Sequence, residues 1–362
     1  MNNFKKHIFN TFDLDLWDYL KTTKKPILIY GMGNGADKII AVLESYGIEF
    51  ADIFASDGFV RGHSFHGKTV LSYSQACEKY EDFIILLSFG TRLSEVMKWI
   101  YELNKKHELY APDVPVCPGE LFCTAFFDAH ENDLFSSREL LADNKSKQIF
   151  DDIIRFKLSG RLEYLISTEC DENSVDSLLS LDSYTTYLDL GAYNGDTVRK
   201  YLDLCPNLTK IYAFEPDVRN FKKLSAYATT EQRAEIIPLN YASWDENTTL
   251  EFSSSGNRNS SGSGTASHQS KVILIEAKRP DSIVSSIDFI KFDVEGAEYK
   301  AILGCKELIK ASSPDMLISM YHKSEDMYEL IPLVFSLAPN SKLFLRRLPY
   351  IPAWDLNLYV SK

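Results

Sequence analysis

The chain has 362 residues, of which 45% are hydrophobic, and a formal net charge of −12 at pH 7. This length is enough for two domains with a sizeable core. The negative charge disfavours a nucleic-acid partner, because binding to phosphates needs a basic face. No stretch approaches the ~20 consecutive apolar residues of a membrane-spanning helix, so we expect no membrane span.

The cysteines and the N-terminal residues favour a cytoplasmic protein. The 6 cysteines are scattered and none forms a Cys-x-x-Cys pair, which argues against a structural zinc site and against a redox motif. Residues 1–18 carry charges and no long apolar run, so they do not resemble a secretory signal. We therefore expect reduced thiols and a cytoplasmic location.

Residues 1–115 predict a small Rossmann-like α/β domain. Its predicted elements are a helix within 1–25, a strand at 26–30, a helix at 37–46, a strand at 50–54, an edge strand at 65–70, a strand at 82–88 and a helix at 93–103. The turn at 31–36 has the pattern Gly-x-Gly-x-x-Ala, which is typical of a dinucleotide or nucleotide-sugar site. Asp57 lies a few residues farther from this turn than a ribose-binding acid usually does. The alternative is that the first domain serves as a scaffold or in recognition of the acceptor. His63 and His66 have no evident third ligand, so we expect a solvated loop there.

Residues 116–182 predict a helical connection. Three prolines within 112–125 indicate a loop, and residues 132–168 are expected to be mostly helical. These helices would join the first domain to the cofactor-binding domain that follows, and could form a lid over that second domain.

The central motif is the run from Tyr187 to Thr197. An apolar strand at 187–190 enters a turn in which Gly191 and Gly195 let the backbone approach a ligand closely. Asp196 and Thr197 can cap the helix that follows. The spacing Asp-x-Gly-x-x-x-Gly differs from the Gly-x-Gly-x-x-Gly of dinucleotide sites.

A strand at 210–214 ends at Glu215 and Pro216. A carboxylate about 20 residues after a glycine turn is placed to accept hydrogen bonds from both ribose hydroxyls of an adenosine. A second acid near this turn suits an ammonium and a sulfonium better than a pyrophosphate, whose charge it would repel. The two signals indicate S-adenosylmethionine, although an ordinary βαβ unit with a polar turn is the simpler alternative.

The remaining predicted elements continue an α/β sheet. They are a helix at 218–227, strands at 235–240, 248–253, 272–276, 287–292 and 316–320, a helix at 325–337, and a closing antiparallel pair at 342–347 and 355–360. The strand at 248–253 is expected to extend the main sheet. Residues 253–270 are rich in Ser and Gly, and predict either a hairpin tip or an active-site loop that presents Arg258 to an anion.

From Leu188 onward the sequence resembles the FkbM-type methyltransferases, a family of S-adenosylmethionine-dependent O-methyltransferases. The resemblance rests on residues 189–197, 214–217, 287–298 and 319–323, and the run Ile-Lys-x-Asp-Val-Glu-Gly-Ala-Glu is its most specific part. Residues 140–147 resemble the segment before this domain in two-domain members. The cofactor-binding residues that the motifs predict are Asp189, Gly191, Tyr193, Asn194, Gly195, Asp196, Thr197, Glu215 and Pro216. The resemblance implies Asn240 and Ala242 in addition, because they fall where methyltransferases usually contact adenine. Residues 279–284 also resemble a short helix of the family.

Three carboxylates crowd the end of the strand at 287–292. Asp293, Glu295 and Glu298 lie within six residues, which is costly unless a positive group neutralises them. We expect Glu298 to point to solvent or back to the helix cap. A divalent metal held by Asp293 and Glu295 is conceivable but not expected.

His322 follows the strand at 316–320 and is the predicted catalytic base. An ordinary histidine pKa of about 6.5 suits proton transfer at neutral pH. Asp293 and Glu295 are predicted to act beside it, because an acidic neighbour would orient the imidazole and raise its pKa. The alternative is a polar residue at the strand end that contacts only backbone. Arg346, Arg347, Tyr350 and Trp354 could line an acceptor pocket or could pack at its rim.

Taken together, the sequence predicts an α/β protein with a Rossmann-like class I methyltransferase sheet at 183–362, a smaller Rossmann-like domain at 1–115 and a helical connection at 116–182. The predicted function is S-adenosylmethionine-dependent methylation of a hydroxyl on a small molecule or saccharide. Two alternatives remain. One is an oxidoreductase that uses NAD or a nucleotide-sugar in the first domain, and the other is a non-catalytic binding protein.

Overall fold

Two sheets of mostly parallel strands, with five and seven strands, organise the fold. The computed structural model describes residues 3–60, 62–254 and 271–362, so the loop with Arg258 lies outside the described residues. Among the described residues, no helix combines the length and the apolar character needed to cross a membrane.

The five-stranded sheet occupies the first part of the chain and has the order β5-β2-β1-β6-β7, with every pairing parallel. Its strands, with a small hairpin β3–β4, are β1 (Ile27–Tyr30), β2 (Asp52–Ala55), β3 (Ser64–Phe65), β4 (Lys68–Thr69), β5 (Leu71–Ser72), β6 (Ile84–Leu87) and β7 (Glu108–Tyr110). The helices are α1 (Asn3–Ile8), α2 (Leu16–Thr22), α3 (Asn34–Ser45), α4 (Tyr73–Lys79) and α5 (Ser94–Lys106). Strands β1, β2 and β6 are buried along their whole length, as apolar runs covered on both faces should be.

The structure differs from the predicted elements of this part in several places. The edge strand expected at 65–70 is the hairpin β3–β4, and α4 was not predicted. The single helix expected within 1–25 is two helices, because Asp15 starts a new one by accepting a hydrogen bond from the backbone N–H of Asp18. Helix α3 begins at Asn34, before the predicted start. Strand β7 was not predicted, because its three residues are too few to show a periodic pattern.

The connection is helical, as expected, and consists of α6 (Thr124–Glu139), α7 (Asn144–Ser159), α8 (Leu162–Thr168) and α9 (Glu172–Asp176). Helix α7 is buried along most of its length. It packs on the last strands of the seven-stranded sheet, and α6 packs on a helix near the C-terminus. These helices therefore extend the core between the two sheets.

The seven-stranded sheet has the order β10-β9-β8-β14-β15-β17-β16, in which only β17 runs antiparallel to its neighbours. The strands are β8 (Thr186–Leu190), β9 (Lys210–Phe214), β10 (Glu235–Leu239), β11 (Ala242–Ser243), β12 (Thr248–Ser254), β13 (Lys271–Lys278), β14 (Phe289–Phe292), β15 (Asp315–Ser319), β16 (Lys342–Arg347) and β17 (Leu356–Ser361). The helices are α10 (Asp196–Leu204), α11 (Val218–Ala228), α12 (Glu298–Gly304), α13 (Lys306–Ser312) and α14 (Asp326–Leu337).

The expectation that residues 248–253 extend the main sheet is wrong. Strands β11, β12 and β13 form a separate three-stranded sheet in the order β11-β13-β12. The antiparallel pairing of β12 with β13 satisfies the backbone of both strands, so neither needs the edge of the main sheet.

One apolar core runs through most of the molecule. It includes Leu28 and Phe54 of the first sheet, Phe150 of α7, and Leu188 and Phe289 of the second sheet. A smaller cluster fills the other face of the first sheet beneath α3. The shared core fixes the carboxyl edges of the two sheets relative to each other.

Candidate active site

A cavity of about 600 Å³ opens at the carboxyl edge of the seven-stranded sheet. Strands β8 and β14 are adjacent there, and the strand order reverses between them. Open α/β sheets bind their ligands at such a reversal. The predicted site residues that line this cavity are Gly191, Tyr193, Asp196, Thr197, Glu215, Pro216, Ala242, Asp293, Glu295 and His322.

The turn after β8 is shaped by residues with left-handed backbone. Gly191 has a φ of +87°, and a Cβ placed on it would lie 1.8 Å from the carbonyl oxygen of Asp293. Tyr193 adopts a φ of +48°, and Gly195 is the N-cap of α10. The turn therefore depends on glycine at position 191 both for its conformation and for its contact with the end of β14.

Four of the predicted cofactor residues do not line the cavity; they support the residues that form its wall. The carboxylate of Asp189 is completely buried, where it accepts a hydrogen bond from the Thr197 hydroxyl at 2.5 Å. The Asn240 side-chain amide donates to the backbone oxygens of Glu215 and Pro216 at 2.8 and 3.1 Å. Asn194 and Gly195 contribute backbone to the turn and do not line the cavity. These residues position the wall.

Glu215 is the buried carboxylate in the wall, at the end of β9. Oε2 accepts a hydrogen bond from the backbone N–H of Tyr193, and Oε1 accepts one from that of Asp217, both at 2.8 Å. Burial raises the pKa of Glu215 to about 8, although the two backbone donors oppose the rise. The backbone hydrogen bonds therefore fix the orientation of the Glu215 carboxyl group, and its oxygens can accept further hydrogen bonds.

Opposite Glu215, the acids after β14 surround His322, which is buried. Nδ1 of His322 lies 2.9 Å from Oε1 of Glu298 in an ion-pair contact. Nε2 lies 3.6 Å from Oδ1 of Asp293 and 3.6 Å from Oε2 of Glu295. Lys291 adds a second cation, with Nζ 3.3 Å from Oδ2 of Asp293. Lys291 and His322 therefore supply the positive charge that the crowded carboxylates were expected to need.

Interactions among these buried charged side chains determine which of them are protonated. Burial alone would lower the pKa of His322, but the surrounding carboxylates, Glu298 first, outweigh it and raise the pKa to about 10. Burial raises the pKa of Glu295 to about 7, although His322 opposes the rise. Burial would also raise the pKa of Asp293, but Lys291 and His322 hold it below its usual range. The expected rise in the pKa of His322 is therefore present, and it is large enough that the imidazole is a cation at neutral pH.

Glu298 is the site residue whose role the sequence did not reveal. It does not point to solvent, since it is only 1% exposed. Its Oε1 accepts from the backbone N–H of Val294 at 2.9 Å, three residues before the N-cap residue Ala297, and the same oxygen faces His322. Asp293 and Glu295 were expected to orient His322. Glu298 lies closer to the imidazole than either of them, so it also orients the ring.

A metal-ligating set also exists among the described residues. Atoms of Asp293, Glu298 and His322 lie within 4.8 Å of one another and could hold a divalent cation. This set differs from the pair Asp293 and Glu295 considered above. In the structure the imidazolium provides the positive charge that such a cation would bring.

The remaining predicted residues divide into two groups. Tyr350 and Trp354 line the cavity. Arg347 is completely buried and donates to the Thr168 hydroxyl and the Tyr350 backbone oxygen, both at 2.7 Å, while Arg346 pairs with Asp143 at 2.6 Å. The two arginines therefore fasten the connecting helices to β16.

Residues 116–118 line the cavity although no sequence pattern marks them. The Cys117 thiol donates to the backbone oxygen of Glu295 at 2.8 Å, across 178 positions of the chain. A local pattern cannot predict so distant a contact.

Comparison with known proteins agrees with this geometry. Residues 189–344 match the family model of the methyltransferase FkbM domain. This part of the chain is similar in sequence to the FkbM methyltransferase family. The resemblance of the sequence to this family is confirmed for that domain, as is the mixed α/β fold with a parallel Rossmann-like sheet.

The crystal structure of Methyltransferase FkbM from Methylobacillus flagellatus KT shares this fold. It aligns over 99% of this chain and 94% of that chain, with a TM-score of 0.69 and 18% sequence identity. An rRNA methylase from Streptococcus thermophilus aligns with 52% of this chain and 94% of its own, with a TM-score of 0.34 and 14% identity. Aeropyrum pernix fibrillarin with bound S-adenosyl-L-methionine aligns with 51% and 69%, with a TM-score of 0.33 and 13% identity. No curated protein sequence matches the chain.

Proposed function

We propose that this chain is an S-adenosylmethionine-dependent O-methyltransferase that acts on a hydroxyl of a small molecule or saccharide. The observation that carries the proposal is Glu215, a buried carboxylate in the cavity wall, within the residues that match the FkbM domain. Its oxygens each accept one fixed backbone N–H and can accept more, which fits the two ribose hydroxyls of an adenosine. The raised pKa of Glu215 is that of a buried carboxyl short of such donors.

The rest of the wall suits the other parts of this cofactor. Pro216, Tyr241 and Ala242 offer apolar surface near Glu215 for a purine. The turn at Gly191 brings backbone close to the cavity, and Asp293 and Glu295 supply negative charge for an ammonium and a sulfonium. When bound, S-adenosylmethionine supplies an electrophilic methyl group.

Glu295 is the proton acceptor in this proposal. Both ring nitrogens of His322 face carboxylates, so the imidazolium has no free lone pair with which to take a proton. A carboxylate with a pKa of about 7 is suited to accept a hydroxyl proton at neutral pH. As the acceptor oxygen gains the methyl group, its proton passes to Glu295. His322 and Asp293 act beside it, His322 by holding Glu295 ionised and in place.

The oxidoreductase alternative has less support in the first domain. A ribose-binding acid is part of a dinucleotide site, but Asp57 does not line the cavity at the first glycine turn. Its Oδ1 instead accepts from the backbone N–H of Tyr73 at 3.2 Å. The binding-protein alternative predicts cofactor binding without turnover on any acceptor.

Calorimetric titration with S-adenosylmethionine tests the proposal, with NADH as the competing ligand. We expect S-adenosylmethionine to bind with Glu215 ionised in the complex, where the ribose hydroxyls donate to it. Glu215→Gln should then weaken binding about 10- to 100-fold, since hydrogen bonds to a charged acceptor are lost. The matched control is Glu235→Gln, whose exposed side chain lies at the opposite edge of the sheet. Binding of NADH alone, or equal affinity in Glu215→Gln and wild type, would overturn the proposal.

A further inference from the structure

A second cavity, of about 320 Å³, opens at the carboxyl edge of the five-stranded sheet. Residues 33–35 after β1, 88–90 after β6 and 111–114 after β7 form most of its wall. Strands β1 and β6 are neighbours at which this sheet reverses its order. The first sheet therefore has its own crevice of the kind in which open α/β sheets bind ligands.

The start of α3 faces this cavity without a cap. Gly33 is the N-cap residue and offers no side chain to the first N–H groups of this 12-residue helix. Those groups have no partner inside the helix, and they carry the positive end of its dipole. Gly33 also leaves open space, since a Cβ on it would meet no atom within 4 Å. An anion can approach the backbone here.

Lys38, one turn into α3, adds a positive charge to the wall. Its Nζ donates to the backbone oxygens of Pro115 and Val116, which are uncharged. Among the residues that the structure describes, it forms no ion pair with a carboxylate within 4.0 Å. Burial lowers the pKa of Lys38, although Cys117 and Glu295 oppose the fall, and a bound anion would oppose it further. The carboxylate of Asp113 also lines the cavity, but Lys157 compensates it at 3.0 Å.

The two cavities share a wall. Val116 and Trp354 line both of them. The ring of Trp354 lies against Gly90, where a Cβ would be 2.4 Å away, and its centroid is 5.4 Å from that of Tyr350. A ligand at the start of α3 is therefore separated from the methyltransferase cavity by one aromatic side chain and the loop at 115–117.

We propose that the smaller cavity binds the diphosphate of a glycosyl diphosphate, and that the attached sugar reaches past Trp354 to place a hydroxyl at Glu295. This assignment rests on the proposed function, because it names the acceptor of that methyl transfer. The diphosphate takes the N–H groups at the start of α3 and the charge of Lys38. Trp354 and Tyr350 offer aromatic faces to the sugar. The absence of Asp57 from the wall fits a ligand held by its phosphates.

The test measures binding of inorganic pyrophosphate and of uridine, guanosine and thymidine diphosphates by calorimetry. The diagnostic variant is Asn34→Glu, which places a carboxylate at the exposed first residue of α3. An acid there favours the helix, so the variant should fold as well as wild type. Ala41→Glu adds the same charge at an exposed position farther along α3 and serves as the control.

We expect at least one of these diphosphates to bind wild type and Ala41→Glu alike, and to bind Asn34→Glu at least about 10-fold more weakly. Preference for a nucleoside diphosphate over pyrophosphate would identify a nucleotide-activated sugar, and equal binding would indicate a diphosphate carried by another group. Failure of all four probes, or equal affinity in Asn34→Glu, would overturn the assignment. S-adenosylmethionine binding, measured on the same variants, should not change. Its absence in wild type would refute the proposed function separately.

Discussion

Glu295 combines a strained backbone with a perturbed carboxyl. Its φ is +55°, a left-handed conformation that costs a non-glycine residue about 1–2 kcal/mol. Cys117 fixes its carbonyl, and the cavity lowers the solvation of its side chain. Residues held in such conformations cluster at functional sites, where the rest of the fold maintains the strain.

Two substitutions at Glu295 separate stability from catalysis. Glu295→Gly relieves the backbone strain, so we expect it to raise the free energy of unfolding by about 1 kcal/mol. Glu295→Gln keeps the strain and should leave stability nearly unchanged. Both should slow methyl transfer at least about 100-fold through loss of the proton acceptor. Urea denaturation and transfer of labelled methyl groups, with and without EDTA, are the measurements.

EDTA should not change the wild-type rate, because His322 and Lys291 already neutralise the acids. Full activity in Glu295→Gln would assign the base elsewhere. A rate abolished by EDTA and restored by a divalent cation would favour the metal set of Asp293, Glu298 and His322.

The buried carboxyl of Glu215 should make the stability of the ligand-free protein pH-dependent. Its pKa is about 8 when folded, against a reference value of 4.5. The contribution of the protonated carboxyl is therefore complete below pH 4.5 and is lost as the pH rises through 8. The limiting slope is roughly 1.4 kcal/mol per pH unit.

We expect the melting temperature to fall between pH 5 and pH 8 on the order of several degrees more in wild type than in Glu215→Gln. Thermal denaturation at a series of pH values measures this difference. The Glu235→Gln control should follow wild type. Parallel curves for Glu215→Gln and wild type would show that Glu215 is ionised in the folded protein.

Residue positions in the cavity wall were predictable where a local run of sequence marks them. The turn from Gly191 to Thr197 and the carboxylate of Glu215 are marked by spacing, and the structure places both in one wall. The pairing of His322 with Glu298 was not predictable, because the sequence around Glu298 indicates only that it is the first residue of a helix. Its burial depends on α14 packing against α12, which no short stretch encodes.

At the scale of elements, the two glycine turns are the parts that the sequence specifies most firmly. The turn at Gly191 is packed against the end of β14, so its geometry joins the two central strands of the second sheet. Sheet membership was less predictable. The alternating pattern of β12 shows that it is a strand but does not say which edge it joins, and it pairs with β13 instead of the main sheet.

Gly191→Ala should damage both the fold and the site. The added methyl would lie 1.8 Å from a backbone oxygen at a φ of +87°. We expect a loss of about 2–5 kcal/mol in the free energy of unfolding and weaker binding of S-adenosylmethionine. Gly58→Ala is the control, because Gly58 is exposed and a methyl there meets no atom within 4 Å. Equal stability of the two variants in urea would contradict the tight packing of the turn.

At the scale of the whole molecule, the apolar core and the arginine contacts join the two sheets. The core passes from Leu28 through Phe150 to Leu188, and Arg347 links β16 to α8. The sequence predicts two Rossmann-like sheets and a helical connection, but their joint core depends on contacts between distant segments. The same packing brings the two cavities to one shared wall at Trp354.

We therefore expect cooperative unfolding of the whole chain. Differential scanning calorimetry should show one transition whose calorimetric and van't Hoff enthalpies agree. Arg347→Met should shift this transition to lower temperature without dividing it. Two resolved transitions in wild type would show that the sheets unfold independently and that the shared core contributes little to their coupling.

The most direct test of the account is a crystal structure of the protein with S-adenosylhomocysteine. We predict that the ribose hydroxyls lie on the carboxylate of Glu215 and that the sulfur faces the carboxylate of Glu295, with its amino-acid part at the turn of Gly191. Such a complex would place the transferable methyl group beside the proposed proton acceptor. A ligand bound at the start of α3, or one whose sulfur faces away from Glu295, would contradict the account.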